Sequence, residues 1–275
     1  MNTTEQTAKA VILSRGMGTR MVKRNDRAGL TAVQAAVADT GVKALVPIDR
    51  PFLDYVLSVL AEAGYTKVCL VIGPEHDELR DYYGRELQTE RLEIFFAVQE
   101  KPLGTADAVL AAEEFAGDDE FVMINSDNYY PAEAMSGLCG LNGGGLAVFE
   151  RESMIAGSNI PAERVTAFAV VKIDAEGFLE RIIEKPDEQT WASLSKPVFI
   201  SMNCWRFTPR IFDACRKIEP SVRGELEVPD AVQYAIENLG ERFKVVKVNG
   251  AVLDLSFRSD VLPVAKLLAG VEVKL

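Results

Sequence analysis

Short, continuously apolar segments alternate with helical segments through the first half of the chain, and this alternation limits the folds open to it. Apolar runs predict strands at 9–14, 67–73, 92–99 and 120–127, and the intervening segments predict helices at 52–64, near 76–84 and at 104–115. Short strands that are apolar on both faces are typical of parallel sheets covered by helices on each side. The pattern therefore predicts an α/β protein with a mostly parallel sheet.

The second half has longer strands and clear turn signals, which predict a mixed sheet. Strands are expected at 167–174, 177–185, 197–207 and 244–254, and helices at 208–218, 227–239 and near 259–269. No repeat, low-complexity linker or Pro/Gly-rich seam divides the chain. We therefore expect residues 1–275 to form a single domain.

Composition and charge disfavour several classes of function. The net charge is −11 at pH 7, which argues against general binding to nucleic acid. No apolar run is long enough to span a membrane, and the start of the chain lacks the build of a signal peptide, so a cytoplasmic location is the default expectation. The four cysteines have no paired spacing, which favours buried thiols over disulfides or zinc ligands.

The positive charge is concentrated at the N-terminal end. Residues 1–50 carry eight Lys or Arg against four Asp or Glu, a net of +4 that leaves −15 for the rest. An acidic protein with one basic end suits a local site for a small anion, and a solvated basic surface is an equally open alternative.

A glycine-rich turn, VILSRGMGTRM at 11–21, follows the first predicted strand. Glycine allows backbone N–H groups to approach phosphate oxygens closely, and an arginine such as Arg20 adds a multidentate donor. No Gly-Lys-Ser/Thr follows, so the turn is not a P-loop, and the third glycine of a dinucleotide-binding fingerprint is missing. The turn alone therefore leaves a phosphate loop and an ordinary loop open, and it disfavours a dinucleotide-dependent oxidoreductase.

Seven segments, taken in order, resemble the motifs of the sugar-1-phosphate nucleotidyltransferases (nucleoside-diphosphate-sugar pyrophosphorylases), closest to the glucose-1-phosphate uridylyl- and thymidylyltransferases. They are VILSRGMGTRM (11–21), KALVPIDRPFLDYVL (43–57), VQEKPLGTADAV (98–109), INSDN (124–128), EKP (184–186), RGELEVPDAV (223–232) and VLDLSFRSD (252–260). The resemblance implies a Rossmann-like, three-layer α/β/α fold. It also implies one nucleotidyltransferase domain, with a nucleotide-binding N-terminal half and a sugar-phosphate-binding C-terminal half.

The resemblance implies condensation of a nucleoside triphosphate with a sugar-1-phosphate, giving a nucleoside-diphosphate sugar and pyrophosphate with the help of Mg²⁺. Arg20, Lys43 and Lys185 match the family's catalytic cations. The implied nucleotide-binding residues are Leu13, Ser14, Arg15, Gly16, Gly18, Thr19, Gln99, Gly104 and Thr105. Gln99 can both donate and accept, as reading the imide edge of uracil or thymine requires, so UTP or dTTP is favoured. Glucose-1-phosphate is the favoured acceptor.

Metal and sugar sites are implied by the later motifs. Asp127 and Asp254 each follow an apolar run, and one or two carboxylates together with substrate phosphates suit Mg²⁺. The implied sugar-binding residues are Asn128, Glu184, Asn203 and Glu225. Without the resemblance, the aspartates could equally be turn or capping residues.

Three departures from the family pattern bear on function. Arg15 stands where the family usually has glycine, so its side chain either crowds the loop or adds a phosphate contact. Ser256 also replaces a usual glycine, beside Asp254. Residues 22–41 lengthen the spacing between Arg20 and Lys43; residues 31–41 are expected to form a short helix, either a rim over the nucleotide or a plain surface insertion. A non-catalytic sugar-nucleotide-binding relative is therefore an alternative, and a homo-oligomer is left open.

Overall fold

The computed structural model describes residues 9–23 and 28–275. Its main element is a nine-stranded mixed β-sheet. The strands are β1 (Lys9–Leu13), β2 (Lys67–Ile72), β3 (Glu93–Val98), β4 (Phe121–Asn125), β5 (Asn128–Tyr129), β6 (Gly145–Glu150), β7 (Val170–Ile173), β8 (Leu179–Ile183), β9 (Phe199–Phe207), β10 (Lys244–Val248) and β11 (Leu253–Asp254). The main order is β10-β6-β9-β4-β1-β2-β3, with β7 and β8 branching from β9, while β5 and β11 form a separate antiparallel pair.

The four strands predicted in the first half, β1 to β4, are mutually parallel in the order β4-β1-β2-β3. β9 runs antiparallel between β4 and β6, and β10 is parallel to β6. The mixed, mostly parallel sheet expected from the sequence is therefore confirmed.

Helices cover the sheet on both sides. They are α1 (Thr19–Val22), α2 (Ala32–Thr40), α3 (Phe52–Glu62), α4 (Asp77–Asp81), α5 (Thr105–Ala111), α6 (Glu113–Ala116), α7 (Ala132–Cys139), α8 (Arg151–Gly157), α9 (Ala162–Val165), α10 (Glu188–Ser193), α11 (Arg210–Cys215), α12 (Val228–Leu239) and α13 (Val261–Leu268). A π-helical turn, Tyr82–Glu86, continues α4.

The alternation of side chains along each strand creates two hydrophobic cores. In β1, Ala10 and Ile12 join a core with α3, whereas Val11 joins a second core with α5, α11 and α12. Because successive side chains of a strand point to opposite faces, a buried parallel strand must be apolar at every position. This is why the first-half strands read as unbroken apolar runs, and the α/β/α layering is confirmed.

Two predictions about elements are wrong in detail, and one strand was not predicted. The expected strand 244–254 is interrupted: β10 pairs with β6, and β11 pairs with β5 in the other sheet. The turn between them contains Gly250, where an added Cβ would lie 3.0 Å from the Pro131 ring. The expected helix 104–115 is divided at Ala112 into α5 and α6. Strand β6 was not predicted, because its apolar run is only four residues long, 146–149, and comes directly after Gly143–Gly145.

The predicted helix at 31–41 is present as α2, and it packs behind the glycine-rich loop. A capping box of Thr31 and Gln34 begins the helix, and Gly41 ends it. The buried Arg258 donates to the Met21 and Val22 carbonyl oxygens and pairs with Asp39 of α2. Arg258 thus ties the helices on either side of residues 24–27 to the segment after β11. Within the 22–41 insertion, residues 24–27, which include Arg24 and Arg27, lie outside the described residues.

Two further expectations can be compared with the described part of the chain. Cys69, Cys139, Cys204 and Cys215 are all buried thiols rather than disulfide partners. Within residues 9–23 and 28–275, no helix is both long and apolar enough to cross a membrane.

Candidate active site

A cleft of about 440 Å³ opens at the carboxyl edge of the parallel strands, where open α/β sheets bind ligands. Its lining residues are Leu13, Ser14, Arg15, Gly16, Met17, Gly18, Thr19, Lys43, Ala44, Gln99, Pro102, Gly104, Thr105, Ala108, Asn125, Ser126, Asp127 and Glu225. All nine residues expected to bind nucleotide are in this set. The structure brings Lys43, Asp127 and Glu225 to the same cleft.

The glycine-rich loop leaves the sheet between two neighbouring strands. Ser14 N donates to Val71 O at 2.8 Å, and Ser126 N donates to Leu13 O at 3.2 Å, so the end of β1 is held on both sides. Beyond it, Gly18 has φ 55° and touches Gly41, whose carbonyl oxygen would lie 2.1 Å from a Cβ added at Gly18. The contact requires glycine at Gly18, and it fixes the loop against the end of α2.

Two polar atoms in this loop are buried without a hydrogen-bond partner in the described structure: Ser14 Oγ and Arg15 Nη1. Arg15 is 9% exposed, and its Nε and Nη2 face Glu75 at 3.4 Å. The Glu75 carboxylate accepts a hydrogen bond from the backbone N–H of Glu75 itself. This bond, together with Arg15, holds the pKa of Glu75 below its ordinary value. Arg15 is thus a buried cation, paired on one edge only, in the wall of the cleft.

Gln99 is oriented by its neighbours in the cleft. Its Nε2 donates to Gly104 O at 3.0 Å and to Asp107 Oδ2 at 2.7 Å. Since both acceptors require the NH₂ end of the carboxamide, the two contacts fix which end is nitrogen. Both amide hydrogens are used, and Oε1 is the end that can accept from a ligand.

One wall of the cleft joins segments that are far apart in the sequence. Leu226 N donates to Leu103 O, and Ala106 N donates to Leu226 O, while Thr105 Oγ1 accepts from Val228 N. A Cβ at Gly104, where φ is 123°, would lie 2.3 Å from Leu226 O. The close approach holds residues 221–228, and with them Glu225, at the cleft.

Lys43 and Asp127 form an ion pair in the cleft. Lys43 lies in the 3₁₀ turn Lys43–Leu45, and Asp127 follows β4 by two residues. Lys43 Nζ lies 2.6 Å from Asp127 Oδ2, and the two side chains are 17% and 22% exposed. Asp127 therefore combines partial exposure, a hard oxygen ligand and an adjacent cation that suits phosphate. It fits a Mg²⁺ site that draws its remaining ligands from substrate and water.

Asp254 is buried nearby, and its carboxylate oxygens already have partners. Oδ1 accepts from Asn128 Nδ2 and Ser256 Oγ, both at 3.1 Å, and Oδ2 pairs with Arg164. Burial, reinforced by the charge of Asp127, raises the pKa of Asp254 to about 6 despite Arg164. Asp254 is near Asp127 but fits a metal less well, because a metal would have to displace existing contacts. No cluster of three His, Cys, Asp or Glu suited to a metal occurs within the described ranges.

Arg20, expected at the triphosphate, is exposed and does not line the cleft. Its guanidinium carbon lies 5.6 Å from the centre of the Phe257 ring, and Arg164 lies 4.8 Å from the same centre. Arg164 also pairs with Asp260 at 2.8 Å. Two arginines therefore contact one aromatic ring: Arg20, which follows the glycine-rich loop, and Arg164, which also pairs with Asp254.

One predicted catalytic residue, Lys185, and one predicted sugar-binding residue, Asn203, have unusual backbone geometry. Lys185 has φ 43° and Asn203 has φ 53°, a region that non-glycine residues seldom occupy and that often marks functional sites. Partial desolvation and the charge of Glu227 raise the pKa of Glu184. Lys185, Glu184, Asn128 and Asn203 do not line the 440 Å³ cleft, unlike Glu225.

Sequence reasoning missed four residues that shape the site: Glu75, Asp107, Asn159 and Arg164. Asn159 exchanges hydrogen bonds with the backbone of Asp254, accepting from its N–H and donating to its carbonyl. Asp107 follows Thr105 by two residues, so the first turn of the helix could have signalled it. Glu75, Asn159 and Arg164 act on residues 60 to 95 positions away, and no local pattern marks them.

A model of the nucleotidyl transferase family matches residues 9–251. The chain belongs to this family. The resemblance noted in the sequence is therefore confirmed, and the match spans six of the seven segments, from the glycine-rich loop to 223–232, and ends before 252–260.

Several curated proteins named as nucleotidyltransferases are similar in sequence to this chain. The low-salt glycan biosynthesis nucleotidyltransferase Agl11 of Haloferax volcanii is 33% identical over 236 residues, covering 84% of this chain and 57% of the relative. A glucose-1-phosphate thymidylyltransferase of Streptomyces antibioticus is 31% identical over 265 residues, covering 93% and 65%. The UTP–glucose-1-phosphate uridylyltransferase AglF of H. volcanii is 25% identical over 257 residues, covering 92% and 93%. The chain thus spans less than two thirds of the first two relatives.

Solved structures share the fold. UDP-glucose pyrophosphorylase complexed with UDP-glucose has a TM-score of 0.73 at 19% identity, with 96% of this chain and 98% of that chain covered. UTP-bound UGPase from Acinetobacter baumannii has a TM-score of 0.73 at 17% identity, with 97% and 95% covered. These likenesses confirm the Rossmann-like α/β fold of the nucleotidyltransferase.

Proposed function

We propose that this nucleotidyltransferase condenses a nucleoside triphosphate with a sugar-1-phosphate to give a nucleoside-diphosphate sugar and pyrophosphate. UTP or dTTP is the favoured nucleotide and glucose-1-phosphate the favoured acceptor. The observation that carries the proposal is the Lys43–Asp127 pair, at 2.6 Å, in a cleft that also holds the glycine-rich loop and Gln99. The cleft thereby combines a phosphate cation, a metal-suited carboxylate and a base-reading amide.

In the proposed reaction, a phosphate oxygen of the sugar-1-phosphate attacks the α-phosphorus of the triphosphate. The new P–O bond forms as the bond between the α-phosphorus and the bridging oxygen of the leaving pyrophosphate breaks, and pyrophosphate keeps that electron pair. The attacking phosphate is largely ionised at neutral pH, so the reaction needs no general base from the protein. Catalysis is then positioning and neutralisation of charge.

Most of the candidate residues are assigned a role in this reaction. Lys43 neutralises charge on the reacting phosphates, and the backbone N–H groups of the Gly16–Gly18 turn face phosphate oxygens. Asp127 is the residue that would hold Mg²⁺, and the ion when bound would supply further neutralisation of charge. Lys185 contacts the sugar phosphate, while Glu225 and Glu184 accept hydrogen bonds from sugar hydroxyls. Arg20 reaches the triphosphate only if it leaves Phe257.

A non-catalytic sugar-nucleotide-binding protein is the second candidate function. Its support is the contact of Arg164 with Asp254, together with the placement of Arg20 over Phe257 instead of in the cleft. In these contacts Asp254 and Arg20, which were expected to bind the metal and the triphosphate, are occupied by other protein groups. A cytoplasmic location and any homo-oligomeric assembly stay predictions.

The two candidates differ in pyrophosphate release. The protein is incubated with Mg²⁺, each nucleoside triphosphate and a panel of sugar-1-phosphates, and pyrophosphate is measured. Enzymatic function predicts release with at least one pair and its loss in Asp127→Asn. The control is Asp119→Asn, which removes a carboxylate from an ion pair of similar length, Lys9–Asp119 at 2.7 Å, outside the cleft. Thermal stabilisation by nucleotides without pyrophosphate from a folded protein would instead support the non-catalytic function.

A further inference from the structure

We propose that Arg15 determines nucleotide specificity by donating a hydrogen bond from Nη1 to a carbonyl oxygen of the base. The inference rests on the proposed function only in taking the bound ligand to be a nucleotide. Arg15 stands where the family usually has glycine, so this contact would be a property of this chain. The glycine-rich loop then recognises the base as well as the phosphates.

The first observation is the unmet hydrogen-bonding capacity of the loop. Arg15 Nη1 and Ser14 Oγ are buried in consecutive residues of the cleft lining, and neither has a partner among the described residues. A buried polar group without a partner costs about 1–3 kcal/mol, and native structures rarely leave such groups unmet. A ligand in the cleft that presents acceptor atoms would satisfy them.

The second observation is that the opposite edge of the guanidinium is held in place. Nε and Nη2 face the carboxylate of Glu75, which follows β2 in the turn Gly73–His76. His76 Nδ1 accepts from Gly73 N at 3.2 Å, and burial lowers the pKa of His76, which keeps that nitrogen available as an acceptor. A side chain at Gly73 would meet the Glu75 carboxylate, since an added Cβ would lie 2.4 Å from Glu75 Oε1. The turn thus presents Glu75 to Arg15, and Nη1 is left for a ligand.

The strand order assigns this end of the cleft to the base. The glycine-rich loop leaves β1, which lies between β4, followed by Asp127, and β2, followed by Glu75. Gln99 follows β3, beyond β2, with its backbone N–H on Ile72 O. Phosphates and a metal belong with Lys43 and Asp127, on the β4 side. Arg15 and Gln99 therefore lie on the side left for the base.

Charge also favours a neutral acceptor for Arg15. The Glu75 carboxylate lies 3.4 Å from the guanidinium, and this ion pair would attract a phosphate group less than an isolated arginine would. A base carbonyl carries no net charge and meets no such penalty. Arg15 as a donor and Gln99 Oε1 as an acceptor together complement a ring N–H beside a carbonyl, an arrangement that uracil, thymine and guanine have and that cytosine and adenine lack.

The test measures binding, separately from turnover. Calorimetric titrations with UTP, dTTP, CTP, GTP and pyrophosphate are made on the wild-type chain and on Arg15→Gly, Arg15→Lys and Glu75→Gln. The matched control is Arg85→Ala, which removes an exposed arginine paired with Asp81 outside the cleft. Thermal melts establish that each variant is folded, and Arg15→Lys serves if Arg15→Gly does not fold.

We expect Arg15→Gly to weaken binding of the preferred nucleotide about tenfold or more, the usual effect of losing a hydrogen bond to a charged group, with pyrophosphate binding unchanged. Arg15→Lys should recover only part of the affinity, because an ammonium lacks the fork that Glu75 holds. A fall in the preference for UTP over CTP assigns the contact to the C4 carbonyl, and equal losses for UTP and CTP with a smaller loss for GTP assign it to the C2 carbonyl, which both pyrimidines have. Equal losses for UTP, CTP and GTP would overturn the claim that Arg15 determines specificity.

Equal weakening of pyrophosphate and nucleotide binding would overturn the inference in favour of a phosphate contact. Unchanged or tighter nucleotide binding in Arg15→Gly would overturn it in favour of a crowding side chain. Failure of the proposed function would look different: nucleotide binding would still depend on Arg15, but no pyrophosphate would be released with any sugar-1-phosphate.

Discussion

The contact between Gly18 and Gly41 predicts that two glycines of one loop differ sharply in their tolerance of alanine. At Gly18, alanine would hold a left-handed backbone conformation, which costs about 1–2 kcal/mol for an L-residue. Its Cβ would also lie 2.1 Å from Gly41 O, so the backbone must move by more than about 1 Å. That movement strains the hydrogen bond from Lys43 N to Gly41 O, at 3.0 Å, next to the side chain of Lys43, the proposed catalytic lysine. Together these effects predict a loss of about 3 kcal/mol.

Gly16 supplies the internal control. It lies in the same loop, but nothing approaches within 4 Å of an added Cβ, and its φ is not in the left-handed region. Gly16→Ala should therefore change the free energy of unfolding by less than about 0.5 kcal/mol. Urea unfolding followed by circular dichroism measures both variants, and the melting temperature of Gly18→Ala should fall by about 6–12 °C. Equal stability of the two variants would refute the idea that the Gly18–Gly41 approach is rigid.

Three further predictions concern chemistry and stability. Lys43→Met should lower kcat for pyrophosphate release about 10²–10³-fold by removing the cation beside Asp127, with melting temperature little changed; a kcat within threefold of wild type would contradict this. The raised pKa of Glu184, caused by desolvation and by Glu227, means that ionising it opposes folding as pH rises from about 4.5 through the folded-state pKa. Glu184→Gln should therefore melt higher than wild type at pH 7 but match it at pH 4 in parallel thermal scans, whereas an equal gain at both pH values would point to packing. All four cysteines are buried, and burial raises the pKa of Cys69 to about 12. A thiol-specific dye at pH 8 should therefore label no cysteine in the native protein and four in urea. Rapid labelling of the native protein would contradict their burial.

The parallel half of the fold could be predicted because its sequence signal is local. β1, β2 and β4 are buried on both faces, so each reads as an unbroken apolar run, whereas β3 lies at the edge of the sheet and is half-buried but is also apolar from Ile94 to Val98. β6 lies at the centre of the other half and is equally buried, but its run is short and follows Gly143–Gly145. The break between β10 and β11 has a local signal in Asn249–Gly250, but the separate partners of the two strands, β6 and β5, could not be read locally.

Much of the candidate site could likewise be predicted, for a physical reason. Side chains that follow parallel strands meet at one edge of the sheet, so the loop after β1, Gln99 after β3 and Asp127 after β4 converge once the strand order is given. What could not be predicted is which charges neutralise one another. Arg164 pairs with Asp254 and Glu75 with Arg15, through contacts that depend on the packing of the whole chain.

The wall formed by Leu226 and Val228 against Gly104 and Thr105 has a consequence for protein synthesis. The strands β1 to β4 and helix α5 leave the ribosome long before residues 221–228 do, yet the backbone hydrogen bonds of this wall need both segments. A nascent chain can thus complete its parallel strands while the nucleotide cleft still lacks one side. We therefore expect the proposed nucleotide affinity to be acquired late in translation, so that ribosome-bound chains stalled before and after residue 228 should differ in their retention on immobilised nucleotide.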